Sequence, residues 1–260
     1  MNQSNSGQTT AHPAKQPLKD LAFYASPPHD CGYLPDRSSV TLFADPEATM
    51  DVNIYDTLIE HGFRRSGAHI YRPHCPTCRA CMAARLPVKQ FQPNRSQKRC
   101  LRNNSDIKAN IAKPVFNEEH FELYRNYIAT RHTGGGMDDP DESKYMDFLT
   151  SSWSDTEFVE FRLKKQLVAV AITDVLPNSL SCVYTFFDPN YAELSPGRFA
   201  LLWQINEAQS RNRPHLYLGY WIKNCQKMVY KQEYRPIELY MENRWHSFSN
   251  REALAAASYP

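Results

Sequence analysis

The segment Leu167-Val-Ala-Val-Ala-Ile172 is an unbroken apolar run that extends through Thr173 and Asp174 to Val175. It is far short of the ~20 residues a bilayer requires, and a largely apolar run of this kind is expected to be a central strand. Around it the chain alternates strand and helix signals. Phe158–Leu163 alternates as a strand does, and Leu180–Phe187 is bounded by Pro177-Asn178 and Asp188-Pro189. A helix is expected from Arg198 to Ser210 on Phe199, Leu201, Leu202 and Ile205. A short strand His215–Leu218, a helix Ile222–Tyr230 and a last strand Ile237–Met241 follow.

Three antiparallel-looking strands, then helix, strand, helix and strand, give the element order of an α/β (α+β) acetyltransferase-like fold, a mixed sheet flanked by helices. That analogy carries no chemistry. The first half is dense in Pro, Arg and Cys. It shows a strand at 40–44, a helix Asp51–His61 closed by Gly62, strand-like Ile70-Tyr71 and Ala83–Val88, and a basic helix or loop Asn94–Lys108. Asn117–Arg131 is the clearest helix there, because Phe121, Tyr124 and Ile128 share one side. Gly134–Gly136 is expected to end it, and a helix Lys144–Ser151 to follow. The 260 residues thus divide into a Ser/Gln/Thr/Pro-rich disordered tail (1–18), a Cys-containing module (19–113) and the α/β domain (114–260).

A hydrophobic content of 42% rules out a disordered chain, and a net charge of +2 rules out a polybasic nucleic-acid coat. Charge is nevertheless segregated: eight basic residues and one acidic lie between Arg85 and Lys113, eight acidic and one basic between Asp138 and Glu160. The stretch Arg95-Ser-Gln-Lys98-Arg99-Cys-Leu-Arg102 concentrates the positive charge. Guanidinium forks suit phosphate oxygens, so an RNA-backbone contact and a solvated face are both readings of it. The tail lacks an apolar core of a signal peptide, and a cytoplasmic chain without membrane or DNA partners is expected.

In a reducing compartment, thiols at 31, 75, 78, 81, 100, 182 and 225 are not expected to form a disulfide framework. Cys75, Cys78 and Cys81 offer three soft ligands at x2 spacing, with Cys31 the best fourth and His29, His74 and Cys100 as alternatives. Zinc or an iron–sulfur cluster would pin this Pro-rich segment; packed or free thiols are the other reading. Cys182 and Cys225 are read as packed thiols.

Three blocks carry a resemblance to the bacterial aminoacyl-tRNA–protein transferases, most closely the aspartate/glutamate leucyltransferases and more distantly the eukaryotic arginyltransferases. They are Gly62–Gly67 with Tyr71–Cys81, Arg85–Val88 and Arg95–Arg99; Asp174–Pro177 with Leu180–Tyr184 and Phe187–Pro189; and Tyr217–Lys231 with Tyr234–Pro236. The resemblance implies leucyl-tRNA as donor and proteins that begin with Asp or Glu as acceptors, in N-terminal-residue-dependent (N-end rule) degradation. It further implies an acetyltransferase-like domain that uses no coenzyme A. Related members link early cysteines to iron–sulfur or zinc binding. Here Leu34 stands where a second early cysteine would fall, and the 75/78/81 triplet takes the later position. An arginyl transferase is the runner-up, and a zinc-stabilised RNA-binding adaptor a more distant alternative. A coenzyme A-dependent acetyltransferase is disfavoured because Ser195-Pro-Gly-Arg-Phe-Ala200 has a single Gly where a pyrophosphate cradle needs more.

Acyl transfer from an activated ester needs an acceptor amine held against the carbonyl, a route for its proton and donors for the oxyanion; no cofactor is required. Asp174 is a candidate to orient the amine, and Tyr184 and Tyr220 to relay the proton or contact the oxyanion. A cation must recognise the acidic first residue. Arg85 and Arg198 lead among Arg65, Arg72, Lys227 and Lys231 for that role, with His132 a further acceptor-site candidate. Lys227 and Lys231 are expected at the tRNA 3′ end, and Arg95, Lys98, Arg99 and Arg102 on its backbone.

Overall fold

The computed structural model describes residues 20–131 and 140–256. The expected tail 1–18, the Gly134–Gly136 terminator and His132 lie outside the described residues. The chain opens with short strands β1 (Phe23–Ala25), β2 (His29–Asp30), β3 (Ser38–Ser39) and β4 (Thr41–Ala44), then helix α1 (Val52–Glu60). The Asp51 side chain caps α1 by accepting from the N–H groups of Asn53 and Ile54. Strands β5 (Arg64–Ser66) and β6 (His69–Pro73) complete a four-stranded sheet in the order β1-β4-β6-β5, while β2 and β3 pair apart from it.

The remaining elements build one eight-stranded sheet. In chain order they are β7 (Met82–Pro87), α2 (Arg95–Asn103), β8 (Ile107–Ala112), α3 (Glu118–Arg131), α4 (Glu142–Leu149), β9 (Thr156–Leu163), β10 (Gln166–Val175) and β11 (Ser179–Phe187). Then come α5 (Pro196–Ser210), β12 (His215–Trp221), α6 (Gln226–Val229), β13 (Ile237–Met241), β14 (Arg244–Phe248) and α7 (Arg251–Ala256). The strand order is β14-β13-β7-β12-β11-β10-β9-β8, with β11 and β12 parallel and the other neighbours antiparallel.

The apolar run is the central strand β10. Ala169 and Ala171 face a core formed with α5, and Val170 and Ile172 face a second core formed with α3 and α4. Covering by helices on both faces makes this a mixed α/β architecture. A third core, with Tyr55, Leu58, Ile59, Phe63 and Ile70, seats the small sheet and α1 against Leu176, just past β10, and Tyr217 of β12.

Three expectations change. β7 and β8 lie in the large sheet, so that sheet draws strands from both sides of the expected 113/114 division. β7 does so because Met82, Ala84 and Leu86 pack into its main core while its backbone pairs with β12 and β13. The expected helix Ile222–Tyr230 shrinks to α6, while the expected strand His215–Leu218 continues through Gly219 to Trp221. The chain also returns in an unanticipated β14, through a turn in which Glu242 and Asn243 take positive φ. Among the described residues, no helix is long and apolar enough to cross a membrane.

Candidate active site

The large sheet opens at its parallel pair. β11 and β12 are in register at Ser179–Ser181 against His215–Tyr217 and part beyond those residues. Two irregularities coincide with the parting. Val183 has no partner in β10, where the register jumps from Tyr184 to Cys182, and β12 slips against β7 between Tyr217 and Gly219. Such bulges bend a strand and withdraw its backbone from the ladder. Gly219 has φ of 79°, and a side chain there would strike the Arg64 guanidinium.

Arg64 and Arg65 project from adjacent positions of β5 and diverge. Arg65 is closed in the interior: Nε and Nη2 donate to the two Asp174 carboxylate oxygens at 2.6 and 2.5 Å, with both side chains fully buried. Its remaining donors go to the Gly67 and Leu149 carbonyls and to Thr156 Oγ1, whose own hydroxyl donates to Asp174 at 2.8 Å. Half-buried Arg64 enters the gap between β11 and β12. Its Nη2 donates to the Val183 carbonyl at 3.4 Å, and its guanidinium lies 5.6 Å from the Tyr220 ring centroid.

Lys231 closes the same region from below. It is 3% exposed, donates to the Tyr220 carbonyl at 2.5 Å and lies 3.1 Å from Met228 Sδ. Burial, followed by the charge of Arg64, pushes its ammonium down to about 7. Cys182 Sγ donates to Gln204 Oε1 at 3.3 Å, and burial pushes this thiol up to about 12. Tyr230, the residue before Lys231, is 46% exposed, and its ring lies 5.6 Å from the Lys231 ammonium.

Tyr184 is half-buried among Tyr124, Tyr127 and Phe148, and its hydroxyl has no hydrogen-bond partner among the described residues. Burial raises its pKa, so it stays protonated and able to donate. The buried Tyr220 hydroxyl instead reaches the Gly62 and Tyr71 carbonyls at 3.1 and 3.2 Å, which ties the two sheets together.

The basic stretch forms α2, capped reciprocally by Asn94 and Gln97. Gln97 and Cys100 turn inward, whereas Arg95, Lys98, Arg99 and Arg102 are exposed at helical spacing and line a groove of about 770 Å³. An adjoining cavity of about 400 Å³ is shared by Arg95, Arg198, Arg235 and Arg251. Gln97 Nε2 donates to the Glu233 carbonyl, so α2 abuts the segment that bears Tyr230 and Lys231. Arg95 meets the same segment through the cavity it shares with Gln232 and Glu233.

The other expected residues are dispersed. Arg85 pairs with Glu238 at 2.6 Å and stacks on Trp245; Arg198 pairs with Glu233 at 2.8 Å. Lys227 is exposed on α6, and Arg72 is half-buried over the Phe63 ring. Cys31, Cys75, Cys78 and Cys81 line one cavity of about 170 Å³ with Tyr33, Tyr71 and Tyr220. Burial, then the charges of Cys31, Cys75 and Cys78, pushes the Cys81 thiol up to about 12. The four soft donors thus share one cavity. Among the described residues, no group of three or more His, Cys, Asp or Glu is already set in a metal-holding arrangement. Sequence reasoning missed Arg64 and Tyr230 as site residues; the sole signal was their place inside two of the matched blocks.

Comparison with known proteins matches residues 29–99 to the N terminus of the arginine-tRNA-protein transferase family and residues 119–241 to its C terminus. The aspartate/glutamate leucyltransferase of Pseudomonas putida strain GB-1 is 54% identical over 228 residues, which are 88% of this chain and 97% of that one. The aspartate/glutamate leucyltransferase of Pseudomonas fluorescens strain Pf0-1 is 53% identical over the same shares. Among solved structures, FemX is similar over 84% of this chain and 73% of its own, with 9% identity and a TM-score of 0.47.

Proposed function

The chain belongs to the arginine-tRNA-protein transferase family, among its aspartate/glutamate leucyltransferases, and on that premise we propose that it transfers leucine from leucyl-tRNA to the α-amine of proteins beginning with Asp or Glu. The observation that carries the reading is the near-complete alignment with the Pseudomonas putida leucyltransferase. Such a product enters N-end rule degradation. The topology supports an acetyltransferase-like assignment: antiparallel β9-β10-β11, helix α5, and a parallel β12 that splays away. The single Gly at 195–200 and the Arg198–Glu233 pair support a reaction without coenzyme A. A cytoplasmic setting fits both substrates.

The gap between β11 and β12 is the reaction site in this reading, with the donor tRNA along α2 and its 3′ end at the rim. Arg95, Lys98, Arg99 and Arg102 face the phosphates, Lys227 adds charge, and the Tyr230 ring offers a stacking surface for an unpaired base. The acceptor nitrogen attacks the ester carbonyl carbon. A C–N bond forms, the bond to the ribose oxygen breaks, and the proton lost by the amine replaces leucine on that oxygen. An α-amine with a pKa near 8 is partly neutral at neutral pH, so positioning contributes much of the rate. The buried Tyr184 hydroxyl, protonated and without a partner among the described residues, is the candidate oxyanion donor in this reading. Asp174 and Tyr220 support the site from the interior, since Asp174 is closed against Arg65 and Tyr220 spans the two sheets. The cysteine quartet fits a zinc ion or iron–sulfur cluster, which would brace the module beside the gap and take no part in acyl transfer.

Purified protein, leucyl-tRNA and peptides starting with Asp, Glu or Ala test the reading by peptide mass. Leucine should appear on the Asp and Glu peptides and not on Ala. Arginine from arginyl-tRNA in its place would establish the runner-up, and no transfer from either tRNA would remove both.

A further inference from the structure

Among the described residues, the positive charge of Arg64 has no carboxylate partner. Arg65, Arg85, Arg162, Arg198 and Arg211 each hold a carboxylate. Among the described residues, none lies within ion-pair distance of Arg64. Its surroundings are phenols, carbonyls and a thiol. Burial pushes Tyr33 up to about 12 and Tyr220 well above its ordinary range, so neither supplies an anion at neutral pH. Lys231, close by, adds a second nitrogen of the same charge type.

A partly desolvated guanidinium without an anion is costly to keep, and most of its five N–H donors remain available. The fold nevertheless holds it there with two devices. Gly219 lacks the Cβ that would expel it, and the bulged Val183 turns a carbonyl toward it. Were the parallel register continued, Val183 would face Gly219; the guanidinium stands at that missing rung. It therefore occupies the point where the strands separate, with its fork inside the gap.

We propose that Arg64 reads the acceptor's first residue, its guanidinium pairing with the Asp or Glu side-chain carboxylate inside the gap between β11 and β12. This rests on the transferase reading above. A planar carboxylate matches the fork in a bidentate, charge-assisted pair, which a neutral amide cannot reproduce. The tRNA phosphates have a separate, exposed cationic path along α2. Arg85 and Arg198 are already neutralised by Glu238 and Glu233, and Arg72 lies over the Phe63 ring with Nη1 donating to the His61 carbonyl, away from the gap between β11 and β12.

The test compares wild type, Arg64→Lys and Arg64→Met on otherwise identical peptides starting with Asp or Asn. It measures leucine transfer, leucyl-tRNA KM, and peptide binding by calorimetry without tRNA, on proteins shown to melt cooperatively. Arg64→Met should weaken Asp-peptide binding at least about thirtyfold, the scale of removing a charged hydrogen-bonded pair, and bring the Asp/Asn ratio near one. Leucyl-tRNA KM should hold, and Arg64→Lys should keep a reduced Asp preference. Retained Asp selectivity in Arg64→Met would overturn the proposal; so would a selective rise in leucyl-tRNA KM, which would make Arg64 a phosphate ligand. If Arg64→Met does not fold, undiminished Asp selectivity in Arg64→Lys overturns it alone. A wild type that binds Asp peptides through Arg64 but transfers no leucine would uphold this inference and refute the transferase reading. A wild type that binds Asp and Asn peptides equally would end it.

Discussion

Lys231 and Arg65 are both buried basic side chains, and physics treats them differently. Lys231 sheds its charge, whereas Arg65 keeps its own beside Asp174. For Lys231 the folded pKa of about 7 lies below the ordinary 10.5. Between those values the unfolded chain binds more protons, so stability rises with pH across the window. The penalty is fully present below about 7 and gone above the ordinary value. Lys231→Met should therefore flatten the climb in urea midpoint between pH 7 and 9.5 relative to wild type. An identical climb in both proteins would show that Lys231 is not the group that titrates. For the ion pair, Arg65→Met strands a buried carboxylate and should destabilise by about 3–5 kcal/mol. Arg65→Met with Asp174→Leu should recover part of that loss in chemical denaturation, the Gly67 and Leu149 carbonyls remaining without their donor. Asp174→Asn should lower stability while the folded fraction keeps its kcat/KM. A kcat collapse at unchanged stability would return Asp174 to a catalytic role.

At the scale of elements, α2 is the clearest separable part. Its four outward cations sit on a helix whose inner face is fixed by Gln97 and Cys100. Replacing Arg95, Lys98, Arg99 and Arg102 with Gln should weaken leucyl-tRNA binding and flatten its salt dependence by about 0.7–0.9 log units for each phosphate no longer neutralised. Peptide binding should be unchanged, and an unaltered salt slope would make α2 a solvated face. This helix was legible in the chain because charge and spacing are local properties. So were β10, from its unbroken apolar run, and α3, from Phe121, Tyr124 and Ile128, all three buried. Long-range pairing was not legible. β7 lies between β12 and β13, whose residues follow it by more than a hundred positions, and its single proline, Pro87, marks only its last residue. The site was hidden for the same reason. Arg64 and Arg65 are indistinguishable neighbours until a strand sends them to different places, and Lys231 reads as a surface charge until Tyr220 and Met228 enclose it.

Across the whole molecule, the small sheet and the large one meet at the gap, and the cysteine cavity lies at that junction. Tyr220 joins β12 to Gly62 and Tyr71, Trp245 Nε1 donates to the Glu60 carbonyl, and the third core fills the space between. Tyr71 and Tyr220 line the cavity of Cys31, Cys75, Cys78 and Cys81, so what binds those thiols bears on how the gap is braced. Four thiols at this density repel one another once ionised, which a cation or cluster would offset. Protein purified without oxygen should therefore carry about one equivalent of zinc, or iron with labile sulfide, by elemental analysis. Chelation or oxidation should lower the melting temperature and loosen Asp-peptide binding, with little effect on tRNA bound along α2. Replacing Cys78 and Cys81 with Ser should abolish the metal and reproduce those losses. Zinc and iron both below about a tenth of an equivalent would reduce the quartet to packed thiols. Metal whose removal leaves peptide binding intact would confine its role to the local fold of the module.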